Sequence, residues 1–475
     1  MKKILLAGYF GAGNTGDEAI LKAILQSFPG GEDGFEFIVL SWNPEQTAAT
    51  YQVDAVYWRD IAAILEAARQ VEGILVGGGG LFQDYWGFDP DSYLRRGHAN
   101  ISSYGGMVLL ANIFGIPVVL FGVGVGPLHS ETAQEHTLQV FARSQGGALR
   151  DEHSLHLLQT LDGGQDLKNV PLQVFTDAAF GSGPSSEVKP EVDSWLSRAE
   201  ISPSEPLLGI SLRYWDRPHP PSHWIPALAA GVERFLSEQP DFKVLFLPFQ
   251  ISEESVYTHD LAVCRQVQEA LPPAHQGILL TEDLPPEAVR GLIGRCSLLI
   301  GMRYHAVVFA IDQKTPFAAL PYDPKITHLV EENQLQALAF SSYAPDEEEV
   351  YSRLNAVWRE RKAVASRLNR AGARNRKLAV EQVRFAEELL NQPIQPPSRA
   401  FLQEQIAALY QLVERLDRKR RQDQEAGGEN IPTDSSSSAS GIQARRPSRL
   451  VRYWRTIPAI WSRVGSKLRG IADDR

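Results

Sequence analysis

The chain has 475 residues, 43% of them apolar and 22% charged, with 38 glycines, 30 prolines and two cysteines. These proportions supply full-sized cores and exclude a wholly disordered chain, a collagen and a polytopic membrane protein, while the cysteine count excludes a disulfide scaffold and a Cys-rich zinc site. The net charge of −10 is uneven: residues 445–475 hold nine Lys and Arg against two Asp, a surplus of seven that leaves the preceding chain at −17, so an acidic body carries a basic tail.

The length suggests two or three domains. At the start, the apolar run of residues 4–10 is short, and Asn14, Asp17 and Glu18 follow at once. That predicts a strand entering a glycine loop rather than a signal peptide, and so a cytoplasmic protein. Strands are expected at 4–7, 35–40, 73–76, 118–123, 147–149 and 172–175, with helical patterns between them. Residues 107–128 are almost uncharged and long enough to span a bilayer. Gly115-Ile116-Pro117 divides them, and β-branched residues fill the second half, so a buried helix, a turn and a buried parallel strand are expected instead. Residues 182–206, with GSGPSSEVKP at their edge, read as a linker that can hold a short helix over 192–199. A second series of strands is expected at 207–212, 243–247, 277–280, 297–300 and 317–320. The alternation of strand and helix predicts an α/β fold: two Rossmann-like domains, 1–181 and 207–391, each with a parallel sheet, facing a cleft. A C-terminal helical extension follows.

Residues 353–390 read as one or two long helices, broken by Pro393, Pro396 and Pro397. Over 398–424, Leu402, Ile406, Leu409, Val413 and Leu416 repeat at a 4-3-4-3 spacing for about two heptads. The segment is either a coiled-coil seam or a helix docking on the body. Residues 425–444 are Ser-rich and of low complexity, as in a disordered linker. In 445–475 the 4-3-4-3 spacing returns at Leu450, Trp454, Ile457, Trp461, Val464 and Leu468, with Arg449, Arg452, Arg455, Arg463, Lys467 and Arg469 between them. A basic amphipathic helix with Trp on its apolar face suits an anionic membrane surface better than a tail folded on the acidic body, and Pro458 should kink it.

Several motifs carry chemistry. Gly11-Ala12-Gly13-Asn14-Thr15-Gly16 has the G-x-G-x-x-G spacing of a dinucleotide loop. However, Asp17 and Glu18 follow immediately and would repel a pyrophosphate, and the next strand ends Leu40-Ser41-Trp42-Asn43 without an acid for a ribose. Asn14 and Asp17 are candidates for sugar hydroxyls, or Asp17 and Glu18 simply complement the helix dipole. GGGGLFQD (77–84) and GVGVGP (122–127) each follow an expected strand, and such glycine runs imply a backbone pressed against another segment or a ligand. Gln83 and Asp84 stand just beyond the first.

Arg150, Arg213, Arg303 with His305, and Lys325 each fall at the carboxyl end of an expected strand. Ligands of open α/β sheets bind there, and helix N-termini with nearby Arg or Lys hold anions. Four such cations in an acidic body point to a phosphorylated or carboxylated substrate.

Eight segments in order across roughly residues 1–335 resemble the polysaccharide pyruvyl transferase family: GYFGAGNTGDEAI (8–20), GGGGLFQD, GVGVGP, LRDEHS (149–154), TDAAF (176–180), GISLR, GMRYHAVVFA (301–310) and PYDPKI (321–326). They resemble in particular its S-layer-anchoring CsaB-type members. Beyond about residue 395 it departs from the family core. The resemblance implies a glycosyltransferase-B-like fold, phosphoenolpyruvate as donor, and transfer of the pyruvyl group to a sugar as a cyclic ketal, commonly on N-acetylmannosamine of a cell-wall polymer. Arg150, His305 and Lys325 match positions the family regards as functional, and Arg303 a nearby one.

That chemistry suits these residue types. Phosphoenolpyruvate carries a carboxylate and a phosphate, which Arg150, Arg303, Lys325 and, less directly, Arg213 would hold. Addition of a hydroxyl at C2 protonates C3 and deprotonates the hydroxyl, work for an imidazole; His305 is the candidate. Asn14, Asp17 and Asp84 would position the acceptor, with Asp177 a structural or acceptor contact. No metal and no cofactor are expected. The expected partners are phosphoenolpyruvate, a saccharide acceptor that is free or lipid-linked, and the inner face of the plasma membrane; nucleic acid is not expected, and self-association stays open. Two alternatives remain: a nucleotide-sugar glycosyltransferase on the same fold, and a membrane-associated scaffold joined through its heptad segment.

Overall fold

The computed structural model describes residues 1–32, 34–85, 87–88, 100–182, 189–253 and 255–393. The expectations for 398–424, 425–444 and 445–475 lie outside the described residues. The first half runs β1 (Lys2–Phe10), α1 (Thr15–Ser27), β2 (Phe35–Ser41), α2 (Pro44–Tyr51), β3 (Asp54–Tyr57), α3 (Ile61–Gln70), β4 (Gly73–Phe82), α4 (Ile101–Phe114), β5 (Val118–Val125), α5 (Glu131–Ala142), β6 (Gly146–Leu149), α6 (Glu152–Asp162) and β7 (Leu172–Val174). The second runs α7 (Lys189–Arg198), β8 (Leu207–Ser211), α8 (Pro221–Glu238), β9 (Lys243–Phe246), α9 (Asp260–Ala270), β10 (Ile278–Leu279), α10 (Pro286–Arg295), β11 (Leu298–Gly301), α11 (Tyr304–Gln313), β12 (Phe317–Ala319), α12 (Pro324–Glu332), α13 (Glu347–Arg359) and α14 (Arg361–Asn391).

Strands β1 to β7 form one seven-stranded sheet in the order 3-2-1-4-5-6-7, and β8 to β12 a five-stranded sheet in the order 10-9-8-11-12. Adjacent strands pair in parallel. Central strands read as continuous apolar runs because helices cover both faces: Ile4, Leu5, Leu6 and Ala7 are all buried, without alternation. The expected helix, turn and strand over 107–128 are present as α4 and β5. Gly115 ends α4 in the left-handed region, at φ 66°, and closes the turn.

The strand orders fix where ligands can sit. In the first sheet the chain reverses direction of growth between β1 and β4, and in the second between β8 and β11. Loops diverge at such switch points and leave a crevice at the carboxyl ends of the strands. The loops after β1, β8 and β11 carry Asn14, Arg213 and Arg303, and the helices that open after the first and third, α1 and α11, carry Asp17 and His305 in their first turns.

Two expectations change. The edge strand β3 was not foreseen, since its four residues are half-buried to exposed and DAVY has no strong pattern. Neither glycine run follows its strand: glycines 77–80 lie within β4, which runs to Phe82 with Gly79 opposite Val123 and Phe82 opposite Val125, and Gly122 and Gly124 lie within β5. A Cβ on Gly77 would stand 1.9 Å from the Phe121 carbonyl oxygen, so the bare backbone there serves close strand approach.

The halves touch through their loops. The amide of Thr15 donates to the Phe249 carbonyl at 2.9 Å, and the side-chain amide of Gln250 donates to the Ala12 carbonyl at 3.3 Å. Buried Arg290 on α10 donates to the Ala179 carbonyl at 2.9 Å and to the Ser182 hydroxyl at 3.0 Å. Helix α14 packs on α11 and then on β5 and β6, and ends beside β1, where the Lys2 ammonium donates to the Leu390 carbonyl at 3.2 Å.

Candidate active site

Helix α11 begins directly after β11, which places His305 at its second position, facing the end of β7. Nε2 of His305 lies 3.4 Å from Oδ1 of Asp177. The other Asp177 oxygen lies 3.8 Å from Nη1 of Arg150, the residue that follows β6. Asp177 is 1% exposed and Arg150 5% exposed. Burial pushes the Asp177 carboxyl up, but His305, Arg150 and the Ala179 amide outweigh it, so its pKa falls below the ordinary value. Oδ2 of Asp177 and Nε2 of His305 both lack a hydrogen-bond partner among the described residues, although both are buried. Arg150 is clamped from two more sides: its Nε lies 3.3 Å from Asp151, and its guanidinium sits 4.5 Å from the centre of the Tyr304 ring. A Cβ on Gly124 would strike Arg150 Nη2 at 2.3 Å, so the GVGVGP glycine makes room for this side chain.

The glycine loop lies against the same imidazole. Asn14 caps α1 by accepting from the Gly16 amide at 3.0 Å. A Cβ on Gly16 would stand 2.0 Å from Nδ1 of His305. Gly11, at φ +73°, takes the left-handed bend that turns the chain into the helix. Its amide donates to Glu18 at 2.7 Å, and the Tyr51 hydroxyl donates to the same carboxylate at 2.9 Å. The loop therefore fills one of its own amides with its own acid, which removes a phosphate contact a dinucleotide would need. Burial raises Glu18 to about 7 and Asp17 to about 6. Around Asp17, His305, Lys325 and Arg303 draw its pKa down and Asp177 pushes it up.

Lys325 opens α12 beside the helix cap Asp323, with Nζ 3.2 Å from Oδ2. Burial opposes its charge, but Asp323 and the Tyr322 hydroxyl outweigh it and raise its pKa. Arg213 Nη1 donates to the Tyr322 hydroxyl at 3.0 Å, and its guanidinium also faces the Trp215 ring. Burial raises Tyr322, yet Arg213 and Lys325 together pull it below the ordinary phenol value.

Three candidates are engaged by the fold. Arg303 makes a two-pronged pair with buried Asp260, its Nε donating at 2.7 Å and its Nη2 completing the fork. Asp260 also accepts from the amides of Phe249 and Gln250, so the pair anchors the loop that meets Thr15. Asp84 accepts from the His129 and Ser130 amides, at 2.8 and 2.9 Å, and holds the approach to α5. Burial opposes its charge, but those amides and the His129 ring lower its pKa. Asn14 is occupied as a helix cap. The fold thus brings Asp17, Arg150, Asp177, His305 and Lys325 within electrostatic reach of one another, with Arg213 bordering them. Tyr304, Asp151 and Asp323 also take part and were not singled out in the sequence. Tyr304 adjoins the candidate histidine, and Asp323 stands two residues before Lys325 in a helix-cap position; those were the available signals. Among the described residues no group of three or more His, Cys, Asp or Glu is arranged to hold a metal.

The two parallel-sheet α/β domains define a fold of the glycosyltransferase-B-like class. A family model described as "Polysaccharide pyruvyl transferase" matches residues 14–324, most of the chain, and the protein belongs to that family. Solved structures share the fold at low identity. UDP-GlcNAc 2-epimerase from Neisseria meningitidis is 13% identical, with a TM-score of 0.54, over 82% of this chain and 100% of its own. The S. aureus MnaA–UDP structure is 12% identical, with a TM-score of 0.54, over 84% of this chain and 100% of its own. Anabaena Alr3699/HepE in complex with UDP and glucose is 11% identical, with a TM-score of 0.53, over 82% and 99%. At these identities the likeness is one of fold.

Proposed function

We propose that the protein transfers the pyruvyl group of phosphoenolpyruvate to a saccharide of a cell-wall or surface polymer, forming a cyclic ketal and releasing phosphate, as CsaB-type enzymes do. The observation that carries this reading is the sharing of the Asp177 carboxylate by Arg150 and His305, with Lys325, from the other sheet, within electrostatic reach of Arg150 and, like His305, of Asp17. A nucleotide sugar needs its base and ribose held as well as its phosphates; phosphoenolpyruvate is a small trianion that needs little besides cations and a proton donor. Arg150 and Lys325 hold the phosphate and carboxylate, Arg213 borders them, and Arg303 adds to the field while its fork stays on Asp260. His305 protonates C3 as the acceptor hydroxyl adds at C2. Asn14, Asp17, Asp84 and Asp177 shape the acceptor side.

The test is phosphate release from phosphoenolpyruvate with candidate acceptors, N-acetylmannosamine-containing saccharides first, beside UDP-sugar controls. Acceptor-dependent phosphate release supports the reading; turnover of a UDP-sugar without it supports a glycosyltransferase instead. His305→Ala should cost on the order of 10²–10⁴ in rate.

We further propose a peripheral position on the plasma membrane and a lipid-linked acceptor. Among the described residues no helix is long and apolar enough to cross a membrane. The basic, Trp-bearing spacing of residues 445–475 supports surface attachment. Removing those residues should shift the protein from membrane pellet to supernatant, and an unchanged distribution would reject the attachment.

A further inference from the structure

Ketal formation moves more protons than one imidazole can carry at a time. Two acceptor hydroxyls each lose a proton, C3 gains one, and the departing phosphate gains one. The cleft offers a second group for this traffic. Asp17 lies in the first turn of α1, next to the glycine that packs on the His305 ring. Its carboxylate makes no hydrogen bond or ion pair among the described residues, whereas Asp84, Asp151, Asp260 and Asp323 are each bonded to their surroundings. The bare backbone of Gly79 approaches it: a Cβ there would stand 3.4 Å from its Oδ1. The titratable and charged groups facing it are His305 on α11, Arg303 at the cap of that helix, Lys325 on α12, Asp177 after β7, Tyr104 on α4 and Glu18 on its own helix.

Resting on the pyruvyl transfer proposed above, we infer that Asp17 is the second proton carrier, a catalytic base toward the attacking hydroxyl and then an acid toward the leaving phosphate. In the first step the hydroxyl oxygen bonds to C2 of phosphoenolpyruvate, and the C2–C3 π pair takes a proton from the His305 imidazolium at C3. The hydroxyl proton passes to Asp17. In the second step the bond from C2 to the phosphate oxygen breaks with its electron pair going to phosphate, which takes the proton back from Asp17. The second hydroxyl bonds to C2 and gives its proton to His305. Both side chains return to their starting states, and the products are one ketal carboxylate and one hydrogen phosphate. Partial burial among mixed charges suits a carboxyl that must both accept and return a proton, and its raised pKa, about 6, agrees with that duty.

The test is the pH dependence of kcat/KM in Asp17→Asn and the native enzyme, with protection from melting by phosphoenolpyruvate measured alongside. The native enzyme should lose activity on the acid side as Asp17 protonates. Asp17→Asn should lose on the order of 10²–10⁴ in rate and the Asp17-dependent acid limb, while phosphoenolpyruvate still protects it. Should that variant melt too low for assay, Asp17→Ala with added formate decides: turnover restored by the small carboxylate supports the role, and none overturns it. A fully active Asp17→Asn, or one with an unchanged acid limb, also overturns it. A native enzyme that releases no phosphate would instead sink the pyruvyl transfer itself, so the two failures are distinct.

Discussion

Oδ1 of Asp177 stands 3.4 Å from Nε2 of His305 while its Oδ2 stands 3.8 Å from Arg150. One buried carboxylate therefore orients the imidazole from one half of the molecule and the guanidinium from the other. Asp177→Asn keeps the shape but loses the charge that both partners face. We expect turnover to fall on the order of 10²–10⁴, as when a positioned acid–base group is lost, with little change in the circular dichroism spectrum. Phosphate release measured against enzyme concentration checks this; native-like rates would remove Asp177 from the site's operation.

Gly16 is the point of contact between α1 and His305, with a built Cβ only 2.0 Å from Nδ1. In Gly16→Ala the ring must rotate or α1 must retreat. Displacement of a reacting group by about 1 Å costs on the order of 10² in rate. Turnover should drop by that much while the melting temperature moves by only a few degrees. A variant with native kinetics would show that the ring has free room.

Arg303 and Asp260 form a buried pair that also fixes the Phe249–Gln250 amides. Removing one partner of such a pair costs about 3–5 kcal/mol, because the other charge is left buried and alone. Arg303→Met should therefore melt well below the native protein, and the molecules that remain folded should still be protected by phosphoenolpyruvate. Loss of that protection at an unchanged melting temperature would make Arg303 a donor ligand instead.

Glu18 gives a pH signature of stability. Burial raises it from 4.5 to about 7, so the folded chain binds this proton more tightly than the unfolded chain. Its contribution is fully present below about pH 4.5 and is lost as the pH rises through 7. Gln cannot titrate, and its amide can accept from Gly11 and donate to Tyr51. Between pH 5 and pH 8 Glu18→Gln should gain on the order of 2–3 kcal/mol relative to the native protein in denaturant unfolding. A difference independent of pH would contradict the burial of a titrating acid there.

The fold was legible because the apolar runs at 4–7, 118–123 and 207–212, buried on both faces, are short and bounded by turns and polar residues. The glycine runs were legible as crowding but not as strand, since the ladder through Gly79 to Phe82 depends on Val123 and Val125 of β5, which lie far off in sequence. At the site, chain position singled out Arg150, His305 and Lys325, because carboxyl ends of parallel strands are where ligands gather. Partners set by tertiary contact were not legible: nothing near Arg303 announces Asp260, 43 residues earlier, and nothing near Arg150 announces the Tyr304 ring.

The central claim is most directly tested by following phosphoenolpyruvate labelled with carbon-13 at C2 through a reaction with enzyme and saccharide acceptor. The label should move from a vinyl carbon to a saturated carbon bonded to two sugar oxygens, with one phosphate released per ketal. A label that stays in the vinyl region, alongside sugar transfer from a UDP-sugar under the same conditions, would contradict it.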